Sequence, residues 1–223
     1  MAPLMATFEV AAVSTELALM CDVTLGATLL LAADAYRAST GVRVQVFPTA
    51  PGLIVPMLSR DVLIDIVMTR LQTLEEATKA GVLKSGSSFG TWRTPIVVAR
   101  PAGSTADGKF AVSELPSASG IDAQAAMAEL GIDAARIVSA IDTQEVVFLL
   151  RNGTARSGLM YLTDAKTDPS LCVAQTLTGP PPAVFGAAIT KGSGRPNPAG
   201  FIAFLSSAPI RMILNNNGLE HVG

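Results

Sequence analysis

The chain has 223 residues and a formal net charge of −2; 49% of them are hydrophobic, 15% charged and 5% aromatic. That much apolar material buries one large core or two modest ones and excludes a disordered chain. No run of Lys and Arg with interleaved aromatics occurs, which excludes the electrostatic footprint of a nucleic-acid binder. Each long apolar stretch is interrupted by Asp, Arg or Gly and falls short of the roughly 20 residues that cross a bilayer.

With so few aromatics, the core must be built from Ala, Val, Leu and Ile, the material of buried parallel strands under helices. Met1 to Val13 contain no Lys or Arg and include Glu9, so the features of a signal peptide are lacking. The expectation is a cytoplasmic protein as written, and a periplasmic one if this is a mature form given a new start. Cys21 and Cys172 have no metal-ligand spacing and read as free packing residues that do not fix the compartment. No cofactor or metal is expected.

From Leu17 onward, short β-type runs alternate with helical patterns, the signature of βαβ units. Leu17 to Val23 is the first strand, and Thr24 is placed to cap a helix carrying Leu25, Leu29, Ala32, Ala33 and Tyr36 at helical spacing, closed by Gly41. Val42 to Phe47 is a strand, then come the turn residues 48–52 and a short helix ending near Arg60. A third strand, Leu63 to Met68, leads to a helix from Leu71 to Ala80. Gly86 to Gly90 reads as a Gly/Ser-rich loop, Pro95 to Ala99 as a strand and Ser113 to Gly120 as a polar loop. A helix over Ile121 to Leu130, a strand Ile137 to Ala140, a helix from Asp142 or Thr143 to Arg151 and a strand Gly158 to Leu162 follow. Pro180, Pro181 and Pro182 precede a strand Val184 to Thr190, and two helices, from about Pro198 and from Pro209, finish the chain. His221 lies at what reads as a frayed, inert end.

Three phrases stand out. They are Ala32 to Val46; Asp65-Ile66-Val67-Met68-Thr69; and Phe185 to Ser193 followed by Pro198 to Ser207. In order and spacing they resemble the molybdate-binding proteins of ABC importers, within the type 2 periplasmic-binding-protein superfamily, over about Leu17 to Glu220. The resemblance implies an α/β architecture of two Rossmann-like lobes joined by two hinge crossings, with the ligand in the cleft between them. Pro and Gly gather near Arg100 to Ser104 and near Gly179 to Val184, so residues 1–99 with 183–223 are expected to form one lobe and 100–182 the other. Such a cleft collects strand ends and helix N-termini, whose N–H groups favour an anion.

Thr24 matches the family's oxyanion-binding Ser, or is a plain N-cap. Thr49 and Ala50 lie in the loop where the family has a Gly-rich run; Pro48 and Pro51 depart from it and remove N–H donors. Thr69 follows the third strand as ligand or cap. Ser117, Ser119 and Gly120 offer hydroxyls and free N–H groups ahead of the next helix. Thr143 and Gln144 match the family segment that supplies a backbone donor, and Tyr161 matches its ligand-contacting Tyr, although a buried Tyr needs a hydroxyl partner in any case. Arg93 either faces the cleft, as a bidentate partner for a carboxylate, or lies on the surface over Trp92.

The expected function is a monomeric solute-binding protein closing over a small anion, either a molybdate- or tungstate-type oxyanion or a small organic acid, with an ABC transporter membrane component as partner. The alternative is an isomerase of unsaturated polycarboxylic acids, as in aconitate isomerization, using the same cleft. Its acid–base candidates are Cys21, Asp22 and Glu16.

Overall fold

β1 (Glu16–Asp22) is buried from Leu17 to its end because it lies inside a sheet, parallel to β2 (Arg43–Thr49) on one side and β3 (Ile66–Arg70) on the other. This is a computed structural model that describes residues 16–60, 62–105 and 107–222; the export-signal reading of Met1 to Val13 falls outside them. Helix α1 (Gly26–Thr40) crosses from β1 to β2 and ends at Gly41, whose φ of 77° is the left-handed closure that glycine accepts most readily. α2 (Pro51–Leu58) begins with Pro at its first turn, where the missing N–H costs nothing, and α3 (Leu71–Lys79) follows β3.

The sheet is completed by β4 (Leu83–Thr94), β10 (Ala183–Thr190) and β11 (Glu220–Val222), in the order β11-β4-β10-β3-β1-β2, with β10 antiparallel to both neighbours. A second sheet holds β5 (Ile96–Pro101), β6 (Phe110–Ser113), β7 (Ile137–Ala140), β8 (Ser157–Tyr161) and β9 (Leu171–Thr176), in the order β7-β6-β8-β5-β9. Its helices are α4 (Ala118–Leu130), α5 (Thr143–Arg151) and α6 (Leu162–Thr167). The fold is mixed α/β with two lobes, as expected.

The chain passes between the sheets at Pro95 and again within residues 177–182. The first passage comes earlier than the Arg100 to Ser104 segment. Ile96 to Ala99 pair with β8 and β9, and the Pro101–Ser104 stretch is a turn leaving β5, closed by a 3.1 Å bond from the Ser104 N–H to the Pro101 carbonyl. The two passages lie side by side: the Leu177 N–H donates to the Ile96 carbonyl at 3.0 Å.

Gly86 to Gly90 is not a loop but the middle of β4. Its inward positions, Leu83, Ser87 and Trp92, are buried, and Gly86 and Gly90 adopt φ of 69° and 63°, conformations that suit the irregular register between β4 and β10. β6, β9 and β11 have no counterpart in the sequence reading. Pro48 sits within β2, at the sheet edge where a strand tolerates a missing N–H.

α7 (Pro198–Leu205) and α8 (Ala208–Asn216) return to the first sheet's lobe. There Tyr36 of α1 meets Phe201 and Phe204 edge-on, with ring centroids 5.1 and 5.0 Å apart. Among the described residues, no helix is long and apolar enough to cross a membrane. Because Phe201 is fully buried at this junction, Phe201→Ala should lower unfolding stability by about 3–5 kcal/mol in urea titrations. A loss below about 1 kcal/mol would show that α7 does not tie the carboxyl-terminal segment to this lobe.

Candidate functional site

Strand ends and helix starts from both lobes line one cavity of about 460 Å³. The first lobe contributes Asp22 at the end of β1, Val23 and Thr24 after it, Ala50 to Gly52 at the start of α2, and Gln72, Thr73 and Glu76 of α3. The second contributes Pro116 to Ser119 and Ile121 at the start of α4, Ile141 to Thr143 at the start of α5, and Tyr161 at the end of β8.

The helix starts differ in how their N–H groups are satisfied. Asp142 caps α5, one carboxylate oxygen accepting from Gln144 N at 2.9 Å and Glu145 N at 3.0 Å. After β1 a short 3₁₀ turn precedes α1, and Asp22 rather than Thr24 caps it, accepting a 3.3 Å bond from Thr24 N. These two N-termini therefore already hold carboxylates. α2 starts at Ala50 with no side-chain cap, leaving the Gly52 N–H without an intrahelical acceptor. α4 starts three residues earlier than the sequence suggested. Ser117 caps it, its hydroxyl accepting from Gly120 N at 3.0 Å, and the N–H groups of Ala118 and Ser119 have no intrahelical acceptor. Open N-termini from both lobes thus meet the cavity, and in the first lobe α3, which also starts with no side-chain cap, adds Gln72 and Thr73 to the lining.

Two polar networks join the lobes at its base. In the first, the Thr24 hydroxyl donates to Asp164 Oδ2 at 2.7 Å and lies 3.2 Å from the Thr163 hydroxyl, while Gln144 Nε2 donates to Asp164 Oδ1 at 2.8 Å. Burial pushes the Asp164 carboxyl up to about 7 against the hydrogen bonds of Thr24 and Thr143, with the charge of Asp22 adding to the rise. Burial likewise raises Asp22 to about 6, opposed by the Thr24 N–H and Arg70 and assisted by Asp142 and Asp122.

In the second network, Arg70 at the end of β3 makes a bidentate pair with Asp122 of α4, at 2.6 and 3.0 Å. The Tyr161 hydroxyl accepts from Arg70 at 2.9 Å and donates to Asp122 at 2.7 Å. Burial opposes the charge on Arg70, but Asp122 and Tyr161 more than offset it and keep the guanidinium charged. Burial also holds the Tyr161 phenol well above its ordinary pKa, so it keeps its proton.

Of the residues singled out in the sequence, Thr24, Ala50, Ser117, Ser119, Thr143 and Tyr161 meet at the cavity. Gln144 stands behind it through Asp164. The Thr49 hydroxyl turns back to the Phe47 carbonyl at 3.1 Å. Thr69 is fully buried with no hydrogen-bond partner for its hydroxyl, and Arg70, not Thr69, precedes α3. Arg93 does not reach the cleft: strand alternation turns Trp92 inward and leaves Arg93 outside, paired with Glu220 of β11 at 2.7 Å. His221 is not at a frayed end. It lies in β11, edge-on to Trp92 at 5.3 Å, with Nε2 3.0 Å from the Ser206 hydroxyl. Cys21 is buried with its thiol pushed far up by burial, and Glu16 lies at the opposite end of β1 from the cavity. Both described cysteines are free, and no cluster of three or more His, Cys, Asp or Glu that could hold a metal occurs among the described residues. Arg70, Asp122 and Asp164 were missed by the sequence reading. Arg70 had a legible signal, its place at the carboxyl end of a parallel strand, where clefts of this kind gather their ligands.

Two α/β lobes, two chain passages and a cleft built of helix N-termini define the class of two-lobed solute-binding proteins. Residues 17–220 match the bacterial extracellular solute-binding protein family, and the chain belongs to that family. Among solved structures, the periplasmic molybdate-binding protein of Azotobacter vinelandii superposes with a TM-score of 0.77 at 18% identity, over 93% of this chain and 99% of that one. The substrate-binding domain assigned to a molybdenum ABC transporter from Clostridium difficile gives 0.74 at 20% identity, over 93% and 99%. PEB3 of Campylobacter jejuni, bound to L-phospholactate, gives 0.69 at 15% identity, over 92% and 99%. At these identities the likeness carries the fold alone. No curated protein matches the sequence.

The carboxyls of Asp22 and Asp164 ordinarily titrate near 3.8 and are raised in the folded chain to about 6 and about 7. Their protonated forms therefore favour the folded state. This contribution is full below about pH 4 and is lost as pH rises through 6 to 7, each carboxyl lowering stability by up to about 1.4 kcal/mol for every pH unit in that window. Asp22→Asn and Asp164→Asn should each flatten the fall of stability between pH 4 and 7 relative to wild type, measured by urea unfolding across pH. An unchanged slope in both variants would contradict the buried titration.

Proposed function

We propose that this chain is the solute-capturing component of an ABC importer and that it closes over a small anion. The single observation supporting this reading is the convergence of two open helix N-termini, α2 from one lobe and α4 from the other, on one cavity. Each supplies unpaired N–H groups and the positive end of a helix dipole. Three relatives of the same fold are described by their solutes, molybdate, molybdenum and L-phospholactate. On this reading the partner is the membrane component of the transporter, and the compartment is the periplasm.

A small organic acid fits the cavity better than a bare tetrahedral oxyanion. At about 460 Å³ the space lies in the range of small-molecule sites, and Val23, Pro51, Pro116, Ile121 and Ile141 give it an apolar wall with little to offer a dianion. Pro51 supplies no N–H at the start of α2, so that helix offers the cavity one donor fewer than a Gly-rich start would. The organic-acid reading thus rests on the cavity wall and not on Arg93.

An isomerase is the second reading, favoured by one observation: Asp22 lines the cavity and titrates near 6, the range of a general base. A binding protein leaves an unsaturated tricarboxylic acid unlabelled in D₂O, which is the outcome expected here; solvent deuterium entering the acid would favour the isomerase.

An anion at about a hundred times its Kd should raise unfolding stability by about 2.7 kcal/mol, read as a thermal shift. Ser119→Asp, which places a carboxylate at the open start of α4, should abolish that shift. A screen of oxyanions and mono-, di- and tricarboxylates in which none shifts the wild type would overturn the anion reading.

A further inference from the structure

The anion reading does not use the buried carboxylate of the cavity, Asp22. Asp22 is 4% exposed and lines the cavity, yet the only hydrogen bond of its side chain among the described residues is the 3.3 Å one that Oδ1 accepts from Thr24 N. Oδ2 accepts none. Arg70, the cation whose charge acts on Asp22, already has its fork committed to Asp122 at 2.6 and 3.0 Å. With no further donor from the chain, the Asp22 carboxylate has acceptor capacity left for a guest of the cavity it lines, and it stands beside helix N-termini that attract negative charge.

A fully deprotonated dianion such as sulfate or molybdate would leave that arrangement unresolved. It carries acceptors only, so it would place like charge beside the carboxylate and give Oδ2 nothing. An anion with its own O–H resolves it by donating to Oδ2 while its charged oxygens take the N–H groups of α2 and α4. Sites built around a buried hydrogen bond to a hydroxyl reject analogues lacking it far more strongly than apolar pockets reject a missing methylene.

We propose that Asp22 is the specificity-determining residue of the cleft, and that the solute is an anion bearing its own hydrogen-bond donor, a hydroxy acid or a singly protonated oxyanion. The inference rests on the anion reading of the cleft and sharpens it. It also gives Asp22 a part in binding rather than in proton abstraction. The groups facing Asp22 are Arg70, which stabilises its charge, and Asp122, Asp142, Asp164, Tyr161 and Cys21, which do not. With burial as the largest cause, the carboxyl titrates near 6, so it is charged at pH 8 and mostly protonated at pH 5.

The test is calorimetric titration of the whole chain at pH 8 with two matched pairs, malate against succinate and hydrogen phosphate against sulfate. The O–H-bearing member of a pair should bind about tenfold more tightly or better, the value of one hydrogen bond to a charged group. Preference within the first pair marks a hydroxy acid, and within the second a protonated oxyanion. Asp22→Asn should bring sulfate and succinate to within about threefold of their partners. In the wild type, which avoids any folding defect of the variant, sulfate should bind more tightly at pH 5 than at pH 8. Equal affinities within both pairs at pH 8, or a preference that survives Asp22→Asn, would overturn the assignment of Asp22 while leaving anion capture standing. Failure of any anion in the wider screen to bind would remove the anion reading and this inference with it.

Discussion

The bidentate pair between Arg70 and Asp122 is the contact on which the site's geometry depends. Arg70 ends β3 in one lobe, Asp122 lies in the second turn of α4 in the other, and Tyr161 at the end of β8 closes the triangle. Guanidinium and carboxylate are largely removed from water, with side-chain exposures of 18% and 15%. Removing one partner of such a pair leaves a stranded charge, at a cost of about 3–5 kcal/mol. The guanidinium also lies 5.8 Å from the Tyr161 ring centroid and 5.7 Å from that of Phe185, so both lobes contribute to its setting. Together with the Thr24–Asp164 bond, the pair fixes how the start of α4 faces the start of α2. The cavity exists because these two links hold its walls.

The same links explain the cleft's mixed electrostatics. Asp142 and Asp22 neutralise two helix N-termini from within, so the starts of α2, α3 and α4, which hold no carboxylate, remain for a guest. Arg70 is spent on Asp122. The cleft therefore presents N–H groups and hydroxyls in place of a free cation, and its affinity must come from aligned dipoles rather than net charge. This is a setting for discrimination between similar anions, because every donor and acceptor inside it is individually placed.

Much of this was legible in the sequence, for definite reasons. Leu17 to Val23 and Val184 to Thr190 read as strands because they are buried on both faces, and the carboxyl-terminal helices read correctly because Pro198 and Pro209 mark their first turns. Thr24, Ser117, Thr143 and Tyr161 were found by their places after strands or before helices. What failed was pairing across distance. β6, β9 and β11 are short and defined by their partners, and Gly86 and Gly90 imitate a loop while serving an irregular ladder. Arg93 and Arg70 look alike in sequence, each next to a Thr in or beside a strand. Only the fold shows that Arg93 meets Glu220 on the outside and Arg70 meets Asp122 in the cleft. Asp122 and Asp164 sit in helices with nothing local to distinguish them from solvated acids.

Amide chemical shifts during an anion titration test the central claim most directly, because they report on the N–H groups themselves. If the cleft seats its solute at the two open N-termini, the resonances of Gly52, Ala118 and Ser119 move together and saturate with one affinity. Saturable shifts confined to the opposite edge of the first lobe, around the groove at residues 43–47, with these three amides unmoved, would contradict it.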